Sequence, residues 1–190
     1  MKITLYSYQM PKAVEKLKKD GVLRLTKKDR WRTLPYQFKM KGFHNAYKFI
    51  IDEMNERLDK KQYEDAFCPI WGWYIYEGKS LPRKELDSHH KGQIRLKIEI
   101  DDSRVLLSDF DMFCYIAGCG YYFNLGKKQE RLYEGKYGKP AKYYYPNWRF
   151  MFKLHRKKGH DYGFSYKEET VQGTFWELFI EDVTEFKLIK

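Results

Sequence analysis

Two polar residues near the C-terminus have side chains that could do chemistry within an otherwise apolar segment. Glu177 lies between Phe175 and Phe179 on one face of a predicted strand at residues 170–180. A carboxylate on an apolar face needs a partner or a shifted pKa, and such groups are enriched at functional sites. Gln172, on the other face, must find hydrogen bonds to backbone or to a ligand. These two are the candidate catalytic residues, and a structural ion pair or an exposed edge position is the alternative for Glu177.

A second pair of carboxylates, Asp109 and Asp111, follows a short predicted strand at residues 105–107 and precedes an apolar helix. Acidic residues in this position cap a helix N-terminus, and they could also bind sugar hydroxyls or a cation. No third carboxylate or histidine follows at a spacing suited to a metal, the cysteines form no C-x-x-C pair, and His89 and His90 lie in a polar stretch. We therefore expect no metal site, and reduced thiols in the cytoplasm.

Residues 70–76 are apolar or aromatic on both faces, which is typical of a central strand that is covered on both sides. Trp71 and Trp73 share one of these faces, where they either belong to the core or form the floor of a pocket for a flat ring. The first predicted strand, residues 2–8, ends beside Gln9, immediately before a helix. Polar groups at such a junction are common in ligand sites.

The formal net charge of +11 comes mainly from two basic segments. Residues 12–32 contain nine basic and three acidic side chains, and residues 127–158 contain eleven basic and two acidic ones. The second segment is also rich in aromatic residues, which suits single-stranded nucleic acid because rings stack on bases while Lys and Arg meet phosphates. An inert basic surface over a local aromatic core is the alternative. The nucleic-acid candidates are Lys127, Lys128, Arg131, Lys142, Tyr144, Trp148, Arg149 and Arg156.

The hydrophobic pattern predicts a single domain over residues 1–190, of the α+β class, with one mainly antiparallel twisted sheet and about three packed helices. No apolar run approaches the ~20 residues that cross a membrane, so no membrane partner is expected. Residues 118–146 are predicted to be a long loop with at most one short helix. The other predicted strands are residues 93–100 and 183–188, and the predicted helices begin near Pro11, Asn45, Asp109 and Asn147 and end near Gly21, Lys60, Ala117 and Arg156.

Three strings in this order resemble a bacterial family described only as a domain of unknown function. They are Pro-Ile-Trp-Gly-Trp at residues 69–73, Leu-Leu-Ser-Asp-Phe-Asp at residues 106–111 and Val-Gln-Gly-Thr-Phe-Trp-Glu at residues 171–177. The resemblance covers nearly the whole chain. The chain departs from the pattern at Asn147-Trp148-Arg149, where members tend to have Ser-Trp-Glu, and at Gly173, where Ala is usual. This resemblance implies no activity.

The order of elements also resembles the small ADP-ribosyltransferase fold, which includes nucleic-acid-modifying toxins. That resemblance implies NAD as a substrate, with Glu177, or Gln172 in its place, near the positive charge that develops on the ribose as nicotinamide leaves. The chain lacks the H-x-T, R-S-E and E-x-E arrangements of that fold, and its late predicted strand at residues 170–180 contains no Q-x-E pair. The residues implied at the NAD site are Gln9 and Tyr47 for the nucleoside, Arg57 for the pyrophosphate, and Trp71 and Trp73 for the ring.

Three hypotheses follow for the function. The first is an NAD-dependent ADP-ribosyltransferase that modifies nucleic acid, as a toxin or phage-conflict protein, with a protein antitoxin or regulator as a further partner. The second is a non-catalytic nucleic-acid-binding module that uses residues 127–158. The third is a carboxylate-dependent, nuclease-like enzyme built on Asp109, Asp111 and Glu177. The first needs Glu177 or Gln172 in one pocket with Arg57, and the third needs carboxylates that converge.

Overall fold

The strands of the protein form two antiparallel sheets. The structure is a computed structural model that describes residues 1–26, 41–59, 62–118, 120–123, 126–154 and 170–190. The strands are β1 (Lys2–Gln9), β2 (Val22–Arg24), β3 (Ile70–Ile75), β4 (Ile94–Asp101), β5 (Leu106–Asp109), β6 (Val171–Phe175), β7 (Glu177–Phe179) and β8 (Val183–Leu188). The main sheet has the order β5-β6-β3-β1-β4-β8, and the small sheet pairs β2 with β7. The predicted α+β class and mainly antiparallel sheet are confirmed.

The helices are α1 (Pro11–Asp20), α2 (Lys41–Arg57), α3 (Lys84–Ser88), α4 (Phe110–Ala117), α5 (Lys127–Tyr133) and α6 (Tyr145–Trp148). α1 ends at Gly21, whose φ of 73° lets its N–H donate to the carbonyl of Leu17. α4 begins at Asp109, whose carboxylate accepts a hydrogen bond from the N–H of Met112. Both of these predicted helix ends are confirmed. The described helices outnumber the predicted ones because α3 and α5 are short, with five and seven residues, and lie in segments where no long apolar periodicity indicates a helix.

Helices cover the main sheet on both faces. α1 packs Val14 and Leu17 against one face, in a cluster with Leu5 and Ile98. α2 and α4 pack on the other face, in a cluster that includes Leu106 and the partly buried Trp71. β3 lies between β6 and β1, so the prediction that it is central is confirmed, although four of its six residues are partly exposed.

Two glycines opposite each other on β3 and β6 allow side chains to pack closely on the sheet face that α1 covers. Gly72 and Gly173 are register partners. A Cβ atom added to Gly173 would lie 2.8 Å from Val105 Cγ1, and one added to Gly72 would lie 3.2 Å from Leu5 Cβ. Alanine at position 173 would therefore require the Val105 side chain to move.

The predicted strand at residues 170–180 is interrupted at Trp176, and this prediction was wrong in a way that matters for function. β6 remains in the main sheet, whereas β7 pairs with β2 so that Glu177 stands opposite Arg24. The two strands therefore lie in different sheets, and the faces inferred from a single continuous strand do not apply beyond Phe175.

The helix predicted to begin at Asn147 was also wrong. α6 begins at Tyr145 and is followed by a 3-10 turn over Arg149–Phe152. Asn147 is buried within α6, where its Oδ1 accepts from the N–H of Phe123 at 2.6 Å and its Nδ2 donates to the Phe123 carbonyl at 3.0 Å. Its amide therefore anchors a distant loop instead of capping a helix.

Candidate functional site

A cavity of about 610 Å³ opens on the sheet face that α2 and α4 cover. Its walls are formed by the ends of β1 and β3, by one residue of β6, and by the facing sides of the two helices. Cavities of several hundred Å³ hold ligands of a few rings. The lining residues are Tyr8, Gln9, Leu25, Phe43, Tyr47, Pro69, Ile70, Trp71, Gly72, Trp73, His90, Phe110, Phe113, Cys114, Ala117, Gly118 and Gln172.

The cavity lies where the two central strands separate. β1 pairs with β4 along its whole length, whereas among the described residues it pairs with β3 only through Tyr6 and Trp73. Beyond that point, Tyr8 and Gln9 of β1 and Trp71 of β3 line the cavity. Separation of two strands exposes both side chains and main-chain polar groups to a ligand.

Polar contacts order the residues at this separation. The Ser7 hydroxyl donates to the carbonyl of Trp71 at 2.7 Å and accepts from the Gln9 side-chain amide at 2.8 Å. The Ser7 hydroxyl therefore both holds the Gln9 side chain at the cavity and links β1 to β3.

Eight of the seventeen residues that line the cavity have an aromatic ring. Tyr47 and Trp71 meet edge to face with centroids 5.4 Å apart, Trp71 and Phe113 lie 5.0 Å apart, and Trp73 and Phe110 lie 4.8 Å apart. Burial raises the pKa of the Tyr47 hydroxyl, so this wall stays neutral at physiological pH. Such a frame of interlocked rings suits a flat ligand.

Gln172 supplies an unusual polar group to this apolar wall. Its side chain is only 4% exposed, and its Nε2 has no hydrogen-bond partner among the described residues. Its register neighbours are Trp73 on β3 and Ser108 on β5, so the three side chains share one face of the sheet. The buried Ser108 hydroxyl likewise has no partner in the described part of the chain. Since buried polar atoms are nearly always paired, the Gln172 amide is suited to meet an acceptor on a ligand.

A neutral histidine and a tyrosine form another wall. His90 stacks on Tyr8 with ring centroids 4.0 Å apart, and the Tyr8 hydroxyl donates to Asp87 at 2.6 Å. Arg95 donates to both oxygens of Asp87, at 2.8 and 3.0 Å. Burial and the bond to Asp87 raise the pKa of Tyr8, and burial lowers the pKa of His90, so both rings are uncharged at neutral pH.

The two carboxylates at the start of α4 have different surroundings. Asp109 is buried and caps the helix, while burial and the nearby Glu77 raise the pKa of Asp111. Desolvation and these two aspartates raise the pKa of Cys114 to about 11, although the residue is exposed at the cavity. The Cys114 thiol therefore stays protonated at neutral pH and is a poor nucleophile.

Five of the residues proposed for catalysis or NAD binding line this one cavity, namely Gln9, Tyr47, Trp71, Trp73 and Gln172. Glu177 and Arg57 are not among the lining residues. Glu177 is buried and forms an ion pair with Arg24 across the small sheet. The joint pocket of Glu177, Arg57 and Trp71 expected from the sequence is therefore not found in the described part of the chain.

Arg57 belongs to a separate network on α2. Its Nε donates to Glu53 at 2.8 Å, and its guanidinium lies 4.3 Å from the Phe152 ring centroid. Glu53 is buried and also accepts from Arg149 Nε at 2.7 Å. These contacts tie α2 to the 3-10 turn that follows α6, which is a structural role.

The predicted nucleic-acid residues divide into exposed and buried groups. Lys127, Lys128, Arg131 and Lys142 are exposed. Tyr144 and Trp148 are each 2% exposed, so they cannot stack on a base as expected from the sequence. Arg149 is committed to Glu53 and Glu56, and Arg156 lies outside the described residues. The exposed rings in this region are Tyr121, Tyr137 and Tyr143, at 40%, 60% and 38%.

The sequence reasoning missed His90, Phe110 and Phe113 as cavity residues. Phe110 and Phe113 lie one helical turn apart directly after the capping Asp109, and this spacing could have placed both on one face of α4. His90 gave no such signal, because its stack on Tyr8 depends on how residues 84–92 lie over the sheet.

No group of three or more His, Cys, Asp or Glu side chains is placed to hold a metal ion within the described ranges. The converging carboxylates of the nuclease-like hypothesis are thus not found there. Among the helices that the structure describes, none has both the length and the apolar character needed to cross a membrane.

Comparison with known protein families gives a match over residues 4–184 to the family described as a domain of unknown function (DUF3841). No curated protein and no solved structure matches the chain. The expected resemblance to a family of unknown function is therefore confirmed over nearly the whole sequence.

Proposed function

Since the chain belongs to the DUF3841 family, whose description assigns no activity, we propose its function from the cavity: it binds NAD there and transfers ADP-ribose to nucleic acid. The observation that carries the proposal is the shared location of Gln9, Tyr47, Trp71, Trp73 and Gln172. These residues come from four separate segments of the chain, yet they line a single cavity.

The walls suit the nicotinamide end of NAD. Nicotinamide is a flat ring with a carboxamide, and in NAD the ring carries a positive charge that aromatic faces attract. Tyr47 and His90 are uncharged at neutral pH, so neither repels this charge. The unpaired Nε2 of Gln172 can donate to the carboxamide oxygen, which would contribute about 1 kcal/mol.

The transfer step breaks the bond between C1′ of the ribose and the nicotinamide nitrogen. Nicotinamide leaves with the bonding electrons, the ribose becomes oxocarbenium-like, and a nucleophile on the acceptor attacks C1′ and loses its proton. Glu177 does not line the cavity, so it can stabilise the positive charge only if its ion pair with Arg24 opens and its carboxylate moves into the cavity on binding. Gln172, already at the cavity, can orient a ribose hydroxyl through its amide oxygen.

The test is label transfer from radiolabelled NAD to a panel of DNA and RNA oligonucleotides. We expect a labelled nucleic acid, and we expect Glu177→Gln to abolish the labelling while Arg24→Gln retains it. Both substitutions break the same ion pair, but only the first removes the carboxylate. Circular dichroism shows whether each variant is folded.

The outcomes distinguish the two parts of the proposal, which are NAD binding and ADP-ribose transfer. Absence of label with folded protein that binds NAD would overturn the transferase, and absence of NAD binding by calorimetry would overturn the whole proposal. Equal loss of labelling in both variants would assign Glu177 a structural role. Retained labelling in Glu177→Gln would move the charge-stabilising role to another group.

A second candidate function, nucleic-acid binding without catalysis, is favoured by the exposed rings of Tyr121, Tyr137 and Tyr143. The ring centroids of Tyr121 and Tyr137 lie 5.3 Å apart. Exposed lysines and one arginine lie near these tyrosines in the sequence. The exposed basic residues of this segment are Lys127, Lys128, Arg131, Lys136, Lys139 and Lys142. Exposed rings among cations can stack on bases and meet phosphates.

Matched charge removal tests this segment. We expect the triple variant Lys136→Gln, Lys139→Gln, Lys142→Gln to bind a single-stranded oligonucleotide at least about tenfold more weakly, with a shallower salt dependence. The control Lys12→Gln, Lys16→Gln, Lys18→Gln removes the same charge from α1. Equal weakening by both triples in a fluorescence anisotropy titration would show that net charge alone attracts the nucleic acid.

A further inference from the structure

The outer edge of β8 is unpaired in the part of the chain that the structure describes. β8 is the last strand of the main sheet and pairs on one side with β4. β5, at the opposite edge, is largely buried, whereas β8 is mostly exposed. An exposed edge presents a row of unpaired N–H and C=O groups that can pair with another strand.

The direction of these groups follows from the hydrogen bonds on the β4 side. The N–H of Ile189 donates to the carbonyl of Gln93 at 2.9 Å. In an antiparallel ladder, alternate residues bond to the same neighbour. Residues 185 and 187 therefore direct their main-chain groups to β4, and the N–H and C=O of Phe186 face outward.

The side chains next to Phe186 are self-complementary. Glu185 precedes it and Lys187 follows it. If two copies of β8 run antiparallel about a twofold axis at Phe186, the two Phe186 residues exchange both main-chain hydrogen bonds. Each Glu185, which accepts a hydrogen bond from Arg95 of its own chain at 3.3 Å, then also stands opposite Lys187 of the other copy. Opposite charges in such cross-strand pairs are favourable.

Exposed apolar groups lie on the same strand. Phe186 is 37% exposed and Leu188 is 54% exposed, and their register partners Leu96 and Ile94 put them on the face that α1 covers. Lys18 of α1 lies 4.6 Å from the Phe186 ring centroid. Pairing of two β8 strands would bring these apolar side chains together beside the axis.

We propose that the protein forms a homodimer by antiparallel pairing of β8 with β8 of a second copy, which joins the two six-stranded sheets into one. β8 lies two strands from β1, whose Tyr8 and Gln9 line the cavity, and it contributes no residue to the cavity wall. The proposal is therefore independent of the proposed NAD binding.

Charge reversal tests the pairing by analytical ultracentrifugation. We expect the wild-type protein to be dimeric at micromolar concentration, and Glu185→Lys and Lys187→Glu each to raise the dissociation constant at least about tenfold because like charges then face each other. An equimolar mixture of the two variants restores opposite charges at both positions and should dimerise again. Glu181→Lys, which changes an exposed residue outside β8, is the control.

A wild-type protein that stays monomeric at high micromolar concentration would overturn the proposal. So would a dimer that both single variants leave unchanged. Recovery in the mixture, but not in either variant alone, cannot arise from a loss of folding and would therefore establish the twofold register.

Discussion

The cavity and the cluster around Trp148 contain similar aromatic residues, but their polar atoms differ. In the Trp148 cluster, the indole Nε1 donates to the carbonyl of Tyr121 at 2.7 Å and the Tyr144 hydroxyl donates to that of Lys136 at 2.5 Å. In the cavity, the Nε2 of Gln172 has no partner among the described residues. The donors of Trp148 and Tyr144 are already satisfied within the protein, whereas a buried donor that has no partner and lies at a cavity is available to a ligand.

This difference places the candidate ligand site in the cavity and not in the segment that composition alone would suggest. The segment at residues 127–158 is dense in aromatic and basic residues, but its central rings Tyr144 and Trp148 are buried. The cavity draws single residues from many segments, so no local density marks it. A site assembled from distant elements is visible only when its polar groups are traced to their partners.

The largest expected effect is a loss of stability in the Trp148 cluster. Asn147→Ala leaves the N–H and the carbonyl of Phe123 without their side-chain partners in a buried position. We expect the free energy of unfolding to fall by about 3 kcal/mol, as measured by urea denaturation. NAD affinity of the folded protein should not change.

The control for this substitution is Asn45→Ala, at a partly exposed position on α2 where alanine is the better helix former. It should change stability by less than about 0.5 kcal/mol. Similar values for the two variants would contradict the stabilising role of the Asn147 amide in the Trp148 cluster.

A smaller effect is expected for a substitution in the cavity, which should preserve or raise the free energy of unfolding. Gln172→Leu replaces a buried, unpaired amide by an apolar group of similar size, so the protein should be as stable as wild type or more stable by about 1 kcal/mol. NAD affinity, measured by calorimetry, should fall about tenfold because the ligand loses a donor.

Gln62→Leu is the matched comparison, because its amide is paired with Asn55 and with the carbonyl of Ala66. It should lose stability and keep NAD affinity. A loss of stability in Gln172→Leu equal to that in Gln62→Leu would show that the Gln172 amide is structural.

The smallest effect concerns pH. The folded protein holds the pKa of His90 below its value of 6.5 in a flexible chain, chiefly through burial. The unfolded chain therefore binds a proton first as the pH falls below about 6.5, so stability decreases until the folded pKa is passed. His90→Phe keeps a ring on Tyr8 and should remove this dependence in thermal melts between pH 7 and pH 5.

His89→Phe is the control for the pH experiment, since His89 is exposed. It should retain the wild-type pH dependence. If the two variants have the same melting profile across this range, the stack on Tyr8 does not control the titration.

Local patterns were sufficient for several parts of the structure. Alternation with a period of two put Trp71 and Trp73 on one face, and both line the cavity. Pro11, Gly21 and Asp109 identified helix ends, because capping depends on residues only a few positions apart. The three strings that resemble the family were also identified from the sequence alone, and the family is confirmed.

Predictions failed where the partner of a residue lies far away in sequence. The break at Trp176 put Glu177 opposite Arg24, which is 153 residues away, and no local rule predicts that pairing. Asn147 gives its amide to Phe123 instead of capping a helix for the same reason.

The sequence by itself determined the α+β class, most strand positions, the excess of basic charge and the chemical types suited to a nucleotide site. Only the tertiary structure decided which of those residues meet, because strand separation and sheet order are set by the packing of the whole chain. It brought Gln9, Tyr47, Trp71, Trp73 and Gln172 to one cavity and paired Glu177 with Arg24 outside it. The physical reason is that hydrophobic burial is non-directional, so it specifies that rings are covered but not which rings share a wall.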